Sequence, residues 1–329
     1  MARGLRVGVI GVGSLGFHHA RLLRDLPGAE LVGIHDTNAA RLAEVSEQLG
    51  VRPFQELGAL LGEVEAVVVA VPTTAHEEVA CEALDRGIHV LIEKPIAPTL
   101  EAADRILEVA ERRGAVVQIG HVERFNGALR ACEPYLERPL FVESHRLAPF
   151  GPRGTDVAVV LDLMIHDLDL VLSLVRRPVT SIAAAGVPVL TPSPDIANAR
   201  IEFEGGCVAN VTASRVSLER MRKIRFFQRS GYISLDLAAG RGEFLRLRDG
   251  IRFEPGVPLP GTGLQDVVER IPLESDGVEP LRCELESFVA AASGAGPVAV
   301  SGRDGREALA VALEIMERIA KHVAGQHPA

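Results

Sequence analysis

Cysteine is scarce in this chain. Its 329 residues include four, Cys81, Cys132, Cys207 and Cys283, spread too widely for a zinc knuckle or a CxxC redox pair. Buried free thiols are expected, and no metal. Basic charge is also in short supply, since 35 Lys and Arg face 44 Asp and Glu for a formal net charge of -9. That balance leaves no electrostatic footprint for a nucleic-acid partner and disfavours an anionic membrane surface. A long uninterrupted apolar run is missing too. The longest, Val157 to Val175, is broken by Asp162, His166, Asp167 and Asp169, whose transfer into lipid would be costly. The opening MARGLRVGVIGVGSLG places a basic residue before an apolar stretch, but glycines interrupt it and no clean cleavage site follows. It reads as the first strand of a mature, cytoplasmic protein. No internal repeat or low-complexity tail is visible. Length and an ordinary apolar share, 47%, fit two folded domains better than extensive disorder.

The first third alternates short apolar strands with helical patterns. LRVGVI, AELVGI, AVVVAV, IHVLIE and AVVQIG read as strands, with helices between them over about residues 39–49, 75–85 and 100–113. Asn38 suits a helix N-cap and Gly50 a helix stop. Nearly continuous apolar strands in βα units imply a parallel sheet covered on both faces. The expected fold class is therefore α/β, with a doubly wound parallel sheet over residues 1–120. Residues 121–329 have a different grain. One long helix, about 155–175, precedes many β-like segments, including SIAAAGV, ANARIEF, CVANVTAS, KIRFFQR, GYISLDL and EFLRLR. They predict an α+β domain with an open, mostly antiparallel sheet. Residues 252–275 read as a long loop with one short strand. Helices over about 277–293 and 304–323 close the chain, with room to pack back on the first domain, and a short mobile end after His322 is expected.

Gly11-Val12-Gly13-Ser14-Leu15-Gly16 directly follows a strand and opens a helix, and Asp36 ends the next strand, twenty residues after Gly16. That context is what a dinucleotide-binding GxGxxG requires. Gly11 permits the tight turn, Gly13 lets backbone approach a pyrophosphate, and Gly16 lets helix and strand pack closely. Asp36 would accept hydrogen bonds from ribose hydroxyls and repel a 2′-phosphate, which favours NAD over NADP; FAD uses the same kind of crevice. Two more strand ends point to that crevice. One carries Pro72, Thr73 and His76, the other Glu93, Lys94 and Pro95. His76 could equally cap or pack at a helix start. Lys94, held between an acidic residue and a proline, is suited to aim an ammonium at a substrate oxygen.

In the second domain, Asp162, His166, Asp169 and Ser173 fall at i, i+4, i+7 and i+11 of an otherwise apolar helix. Burying this stripe without partners would be expensive, so it should face a hydrated cleft. A neutral imidazole is a competent base for a hydroxyl proton. A satisfied core histidine paired to aspartate is the bland alternative, and a metal pair lacks a third ligand.

Taken in order, GVGSLG, Glu93-Lys94-Pro95 and Asp162-x-x-x-His166 resemble the glucose-fructose oxidoreductase and inositol dehydrogenase (Gfo/Idh/MocA) family across essentially the whole chain. The resemblance implies a Rossmann domain, a second domain often used in oligomer contacts, and hydride transfer between a sugar or cyclitol alcohol and a nicotinamide cofactor. It makes Lys94, His166 and Asp162 catalytic, with Asp162 also a candidate substrate contact, and a homodimer or homotetramer is implied. HVERFN at residues 121–126 and VLDLMIHDLD at residues 160–169 resemble more closely the branch of UDP-N-acetylglucosamine 3-dehydrogenases, associated with the 3-amino sugar of certain lipid A molecules. His121, Arg124, Asn126, His145 and Arg146 are candidate pocket walls or contacts to a nucleotide diphosphate, with surface or structural roles open for each. Gly127 stands where proline often follows the asparagine, which would loosen that loop. Leu163-Met164 stand where a small residue is common. A myo-inositol or free-sugar dehydrogenase, or a non-catalytic NAD-binding regulator, remains the alternative.

Overall fold

The computed structural model describes residues 3–151, 157–248, 251 and 264–326. In chain order β1 (Leu5–Ile10), α1 (Ser14–Leu23), β2 (Ala29–His35), α2 (Ala39–Leu49), β3 (Pro53–Phe54), α3 (Leu57–Leu61) and β4 (Ala66–Val69) come first. They are followed by α4 (His76–Asp85), β5 (His89–Glu93), α5 (Leu100–Arg113), β6 (Val117–Gly120), α6 (Gly127–Cys132) and β7 (Phe141–Leu147). Then come α7 (Ile165–Val175), β8 (Val179–Val187), β9 (Ile196–Phe203), β10 (Val208–Ser214), β11 (Met221–Gln228), β12 (Gly231–Asp236) and β13 (Arg241–Leu247). The last are α8 (Leu264–Val267), β14 (Val268–Glu274), α9 (Pro280–Ala292) and α10 (Gly302–Gln326).

One compact unit comprises Met1–Val122 with Glu279–Ala310. Its six strands run in the order β3-β2-β1-β4-β5-β6, and every pairing is parallel. Local chemistry sets the helix ends. The Asn38 side chain accepts the Arg41 N–H and starts α2, which Gly50 stops at φ 65. Thr99 accepts the Ala102 N–H at the head of α5, and Gly114 ends it at φ 64. Val7, Val9, Val68 and Leu91 from the strands form the core with Leu22 and Leu23 of α1, and Leu285 and Phe288 of α9 join the same cluster. Burial on both faces explains why these strands lack polar alternation.

The strand ends are knit together where the order reverses between β1 and β4. The Gly11 N–H donates to the His35 carbonyl and the Ala70 N–H to the Ile10 carbonyl, each at 2.8 Å. Gly11 holds φ +83, with the position a Cβ would take 2.7 Å from the Ala70 carbonyl oxygen. At Gly16 a Cβ would stand 1.8 Å from the Gly11 carbonyl oxygen. No side chain fits between that turn and α1.

The other unit comprises Glu123–Val278 with Val311–Ala329. Its eight strands run in the order β14-β13-β12-β11-β7-β10-β9-β8. Only β7 with β10 is parallel; the other six pairings are antiparallel. Strand β7, FVESHRL, went unread in the sequence although it lies in the middle of this sheet. Its buried positions are Val142, Ser144 and Arg146, and two of those three are polar, which hides the alternation. The long helix is shorter than expected. A π-helical turn, Val160–Met164, precedes α7, and residues 155–156 lie outside the described residues. Of the expected loop, 252–263 also lies outside them, and 268–274 forms β14. Helix α10 continues past His322 to Gln326.

Replacing Gly16 with alanine forces backbone apart at the turn. Overpacking of this kind costs about 1–3 kcal/mol, so Gly16→Ala is expected to lower the urea midpoint of unfolding, and an unchanged midpoint would contradict the close packing described.

Candidate active site

The glycine turn presents the features an anionic pyrophosphate needs. A Cβ at Gly13 would meet no atom within 4 Å, so ligand can approach the backbone there. Helix α1 begins at Ser14 with no side-chain cap from Gly13 and no acidic residue in its first turn. Its leading N–H groups and dipole therefore favour a negative charge. Asp36 directly follows the last residue of β2, and it also braces the turn. Its Oδ2 accepts the Val12 N–H at 2.7 Å and its Oδ1 the Asn38 N–H at 2.8 Å. Arg41, which no sequence signal marked, grips the same turn from α2, donating from Nε to the Val12 carbonyl at 2.8 Å. Leu15 projects from the turn, 52% exposed.

The loops after β4 and β5 are joined through His76. Its Nδ1 lies 2.9 Å from the Pro95 carbonyl and its Nε2 3.0 Å from the Val71 carbonyl. Burial pushes this imidazole below its usual pKa, although both carbonyls favour the protonated ring. His76 thus clamps the two loops together. Pro72 and Thr73 remain on the loop, Thr73 opening a 3-10 turn. Glu93 is buried, and its side chain is bonded to His19 at 2.7 Å. Lys94, the next residue, is half-buried.

In the second unit Asp162 and His166 are both half-buried. Asp162 sits within the π turn, where backbone bonds skip one residue more than in an α-helix; such turns are frequent at functional sites. Past His166, the two remaining positions are engaged in hydrogen bonds within the unit. Asp169 is buried and receives a bidentate fork from Arg124 Nε and Nη2, both at 2.7 Å. Ser173 donates to the Leu170 carbonyl at 2.7 Å.

Several candidate substrate contacts are engaged within the fold. Arg146 is buried, donating from Nε and Nη2 to Asp167 and from Nη1 to Glu123, all at 2.9 Å. Burial opposes the charge of Arg146, but Asp167 and Glu123 hold its pKa above the ordinary arginine value. Strand alternation puts His145 on the opposite face from Arg146, so the two cannot line one pocket. Asn126 is spent as well: its amide donates to Glu123 at 3.1 Å and to the Leu237 carbonyl at 2.9 Å, while its oxygen caps Ala128. His121 is buried in the first unit. Gly127 tightens rather than loosens its segment, since a Cβ there would fall 1.9 Å from Ser275 Oγ. Another buried group missed in the sequence, Arg215, bonds Asp195 at 2.8 Å and the Val157 carbonyl at 2.6 Å, fixing the approach to the π turn. None of these pairs carries a sequence motif.

Comparison with known proteins places these features in a wider set. Residues 5–121 match the family described as "Oxidoreductase family, NAD-binding Rossmann fold", and residues 118–234 match the "GFO/IDH/MocA C-terminal domain". The UDP-N-acetylglucosamine 3-dehydrogenase of Acidithiobacillus ferrooxidans is 39% identical over 316 residues, covering 94% of this chain and 96% of that protein. A solved structure of that enzyme superposes with a TM-score of 0.88 at 37% identity, covering 97% of this chain and 98% of the other. The scyllo-inositol 2-dehydrogenase (NAD(+)) of Bacillus subtilis is 27% identical over 66% of this chain and 69% of its own length.

Two measurements follow from this geometry. Asp36→Ala leaves Arg41 beside the turn without the carboxylate that repels a 2′-phosphate. The NADP-to-NAD ratio of kcat/KM should rise, and an unchanged ratio would remove Asp36 from cofactor choice. Arg146→Ala strands two buried carboxylates and should destabilise the protein by about 3–5 kcal/mol in chemical denaturation. A variant that keeps its stability and loses only substrate affinity would return Arg146 to the pocket.

Proposed function

Since the chain belongs to the Gfo/Idh/MocA oxidoreductase family, we propose that this NAD-dependent dehydrogenase acts on UDP-N-acetylglucosamine, oxidising the sugar at its 3-hydroxyl. The observation that carries this reading is the 39% identity to the Acidithiobacillus enzyme over nearly the full length of both chains. The cyclitol enzyme matches less strongly and over two thirds of the chain.

The residues of the glycine turn and the end of β2 fit the cofactor. The open backbone at Gly13 and the uncapped start of α1 would hold the pyrophosphate, and Asp36 would take the ribose. When bound, NAD supplies a two-electron hydride acceptor. The protein must then manage a proton and a developing negative charge on the sugar oxygen. In this reading His166 takes the hydroxyl proton as the carbon gives up hydride, so proton and electron pair leave together and a ketone results. Lys94 donates to the oxygen as it gains charge, which lowers the barrier more than the ground state. Asp162, one turn before His166, orients the imidazole or the sugar. In the reverse direction the same imidazole returns its proton to the ketone. A 3-keto product suits an aminotransferase that makes a 3-amino sugar.

The test is nicotinamide absorbance on mixing enzyme and NAD with UDP-N-acetylglucosamine, myo-inositol or glucose. Reduction with the nucleotide sugar is expected; reduction with the cyclitol alone would sink the substrate assignment. Lys94→Ala and His166→Ala should each lower kcat/KM by roughly 10²–10⁴ while NADH fluorescence titration still shows binding. Near-wild-type rates in both variants would overturn the mechanism.

A further inference from the structure

A closed polar cluster that the proposed chemistry leaves unused lies behind the strand end that carries Lys94. His19 on α1, Glu93 at the end of β5 and Glu284 on α9 are all buried, and one nitrogen or oxygen from each falls within 4.8 Å of the others. His19 Nε2 is 2.7 Å from Glu93 Oε1, and the Lys94 N–H donates to Glu93 Oε2 at 3.2 Å. Gly120 on β6 makes room, since a Cβ there would stand 3.1 Å from that same oxygen. The Glu284 carbonyl accepts from Gln118 Nε2 at 3.1 Å. Its two carboxyl oxygens are buried with no hydrogen-bond partner among the described residues.

Two ionised carboxylates this close, out of water, need a balancing positive charge. Either a divalent cation or a proton could supply it. Two atoms each about 2.0–2.1 Å from a tetrahedral ion stand roughly 3.3 Å apart. The 2.7 Å contact between His19 and Glu93 is instead that of an N–H donating to a carboxylate. The proton fits, and its place follows from the surroundings. Glu93 has the imidazole and a backbone N–H to stabilise its charge; Glu284 has neither.

We propose that Glu284 is a neutral carboxylic acid turned toward the Glu93 carboxylate, and that it acts as a positioning residue for Lys94. It lets one negative charge, not two, stand behind the lysine, and keeps Glu93 aimed at the Lys94 N–H. Burial, and then the charge of Glu93, push the Glu284 carboxyl well above its usual range. At Glu93 burial works the same way but is outweighed by His19 and Lys94, leaving that carboxylate below its ordinary value. The positioning role rests on Lys94 acting in the reaction; the buried acid does not.

Infrared difference spectra of the NAD-bound enzyme against Glu284→Gln at neutral pH are the direct test. A protonated-carboxyl stretch present in the wild type and lost in the variant is expected, and its absence overturns the proposal. Glutamine matches a neutral acid, so Glu284→Gln should keep kcat within about threefold, whereas Glu284→Asp, one methylene short, should lower kcat about tenfold with the KM for NAD unchanged. Equal losses in both variants, or a glutamine variant that fails to fold while the aspartate variant folds, would mean the anion is required. Stoichiometric metal found in the wild type by mass spectrometry and missing from Glu284→Gln would replace the proton with a cation. A group whose pKa is raised by folding stabilises at low pH and loses that contribution as pH rises through its folded value. Wild-type Tm should therefore fall relative to Glu284→Gln as pH rises above the ordinary carboxylate range, and parallel curves count against the acid. If Lys94→Ala stays active while the infrared band is present, the mechanism fails and the acid stands.

Discussion

The contact between the Gly11 carbonyl and the backbone at Gly16 is the constraint on which the first unit depends. With 1.8 Å between that oxygen and the place of a Cβ at position 16, α1 starts immediately behind the turn, and its dipole points where β1 ends. Gly11 in turn lies against the Ala70 carbonyl, so β4 cannot drift from β1. Asp36 and Arg41 then fix the turn from the side of β2 and α2. A cofactor cradle thus arises from backbone fitted to backbone, with side chains bracing it from outside.

The second unit solves a different problem. Its helix α7 carries charged residues into a core, and each buried charge is answered: Asp169 by Arg124, Asp167 by Arg146, with Glu123 sharing the second guanidinium. Bidentate guanidinium forks fix orientation as well as charge. They anchor α7 on β7 and on the segment before α6, and so determine where His166 stands within its own unit. Breaking such pairs costs far more than forming them gains, which makes this packing specific rather than merely stable.

Much of this was legible in the sequence, for reasons that can be traced. The parallel sheet showed because its strands are buried on both faces, and the glycine turn because its geometry permits few residues. Lys94, Asp162 and His166 were marked by their place in a resemblance covering the whole chain. What stayed hidden was partnership. Arg124, Asn126 and Arg146 look like ligands for a nucleotide diphosphate in a linear reading, because a sequence shows a polar group and not its partners within the fold. Strand β7 was missed since Ser144 and Arg146 occupy positions where an apolar residue is the usual signal. Gly127 looked like a loose joint and proved to be a close contact. His19 and Glu284 are separated by most of the chain and meet only once α1 and α9 pack on the same sheet.

The π turn at Val160–Met164 carries one residue more than a turn of α-helix. Removing that residue would rotate everything before it by about 100° around the helix axis relative to His166. The neighbour that the histidine keeps at Asp162 is therefore a matter of helical phase as well as of spacing. A single insertion or deletion in this turn would exchange the side chain presented beside the imidazole while leaving the histidine and its anchored helix in place.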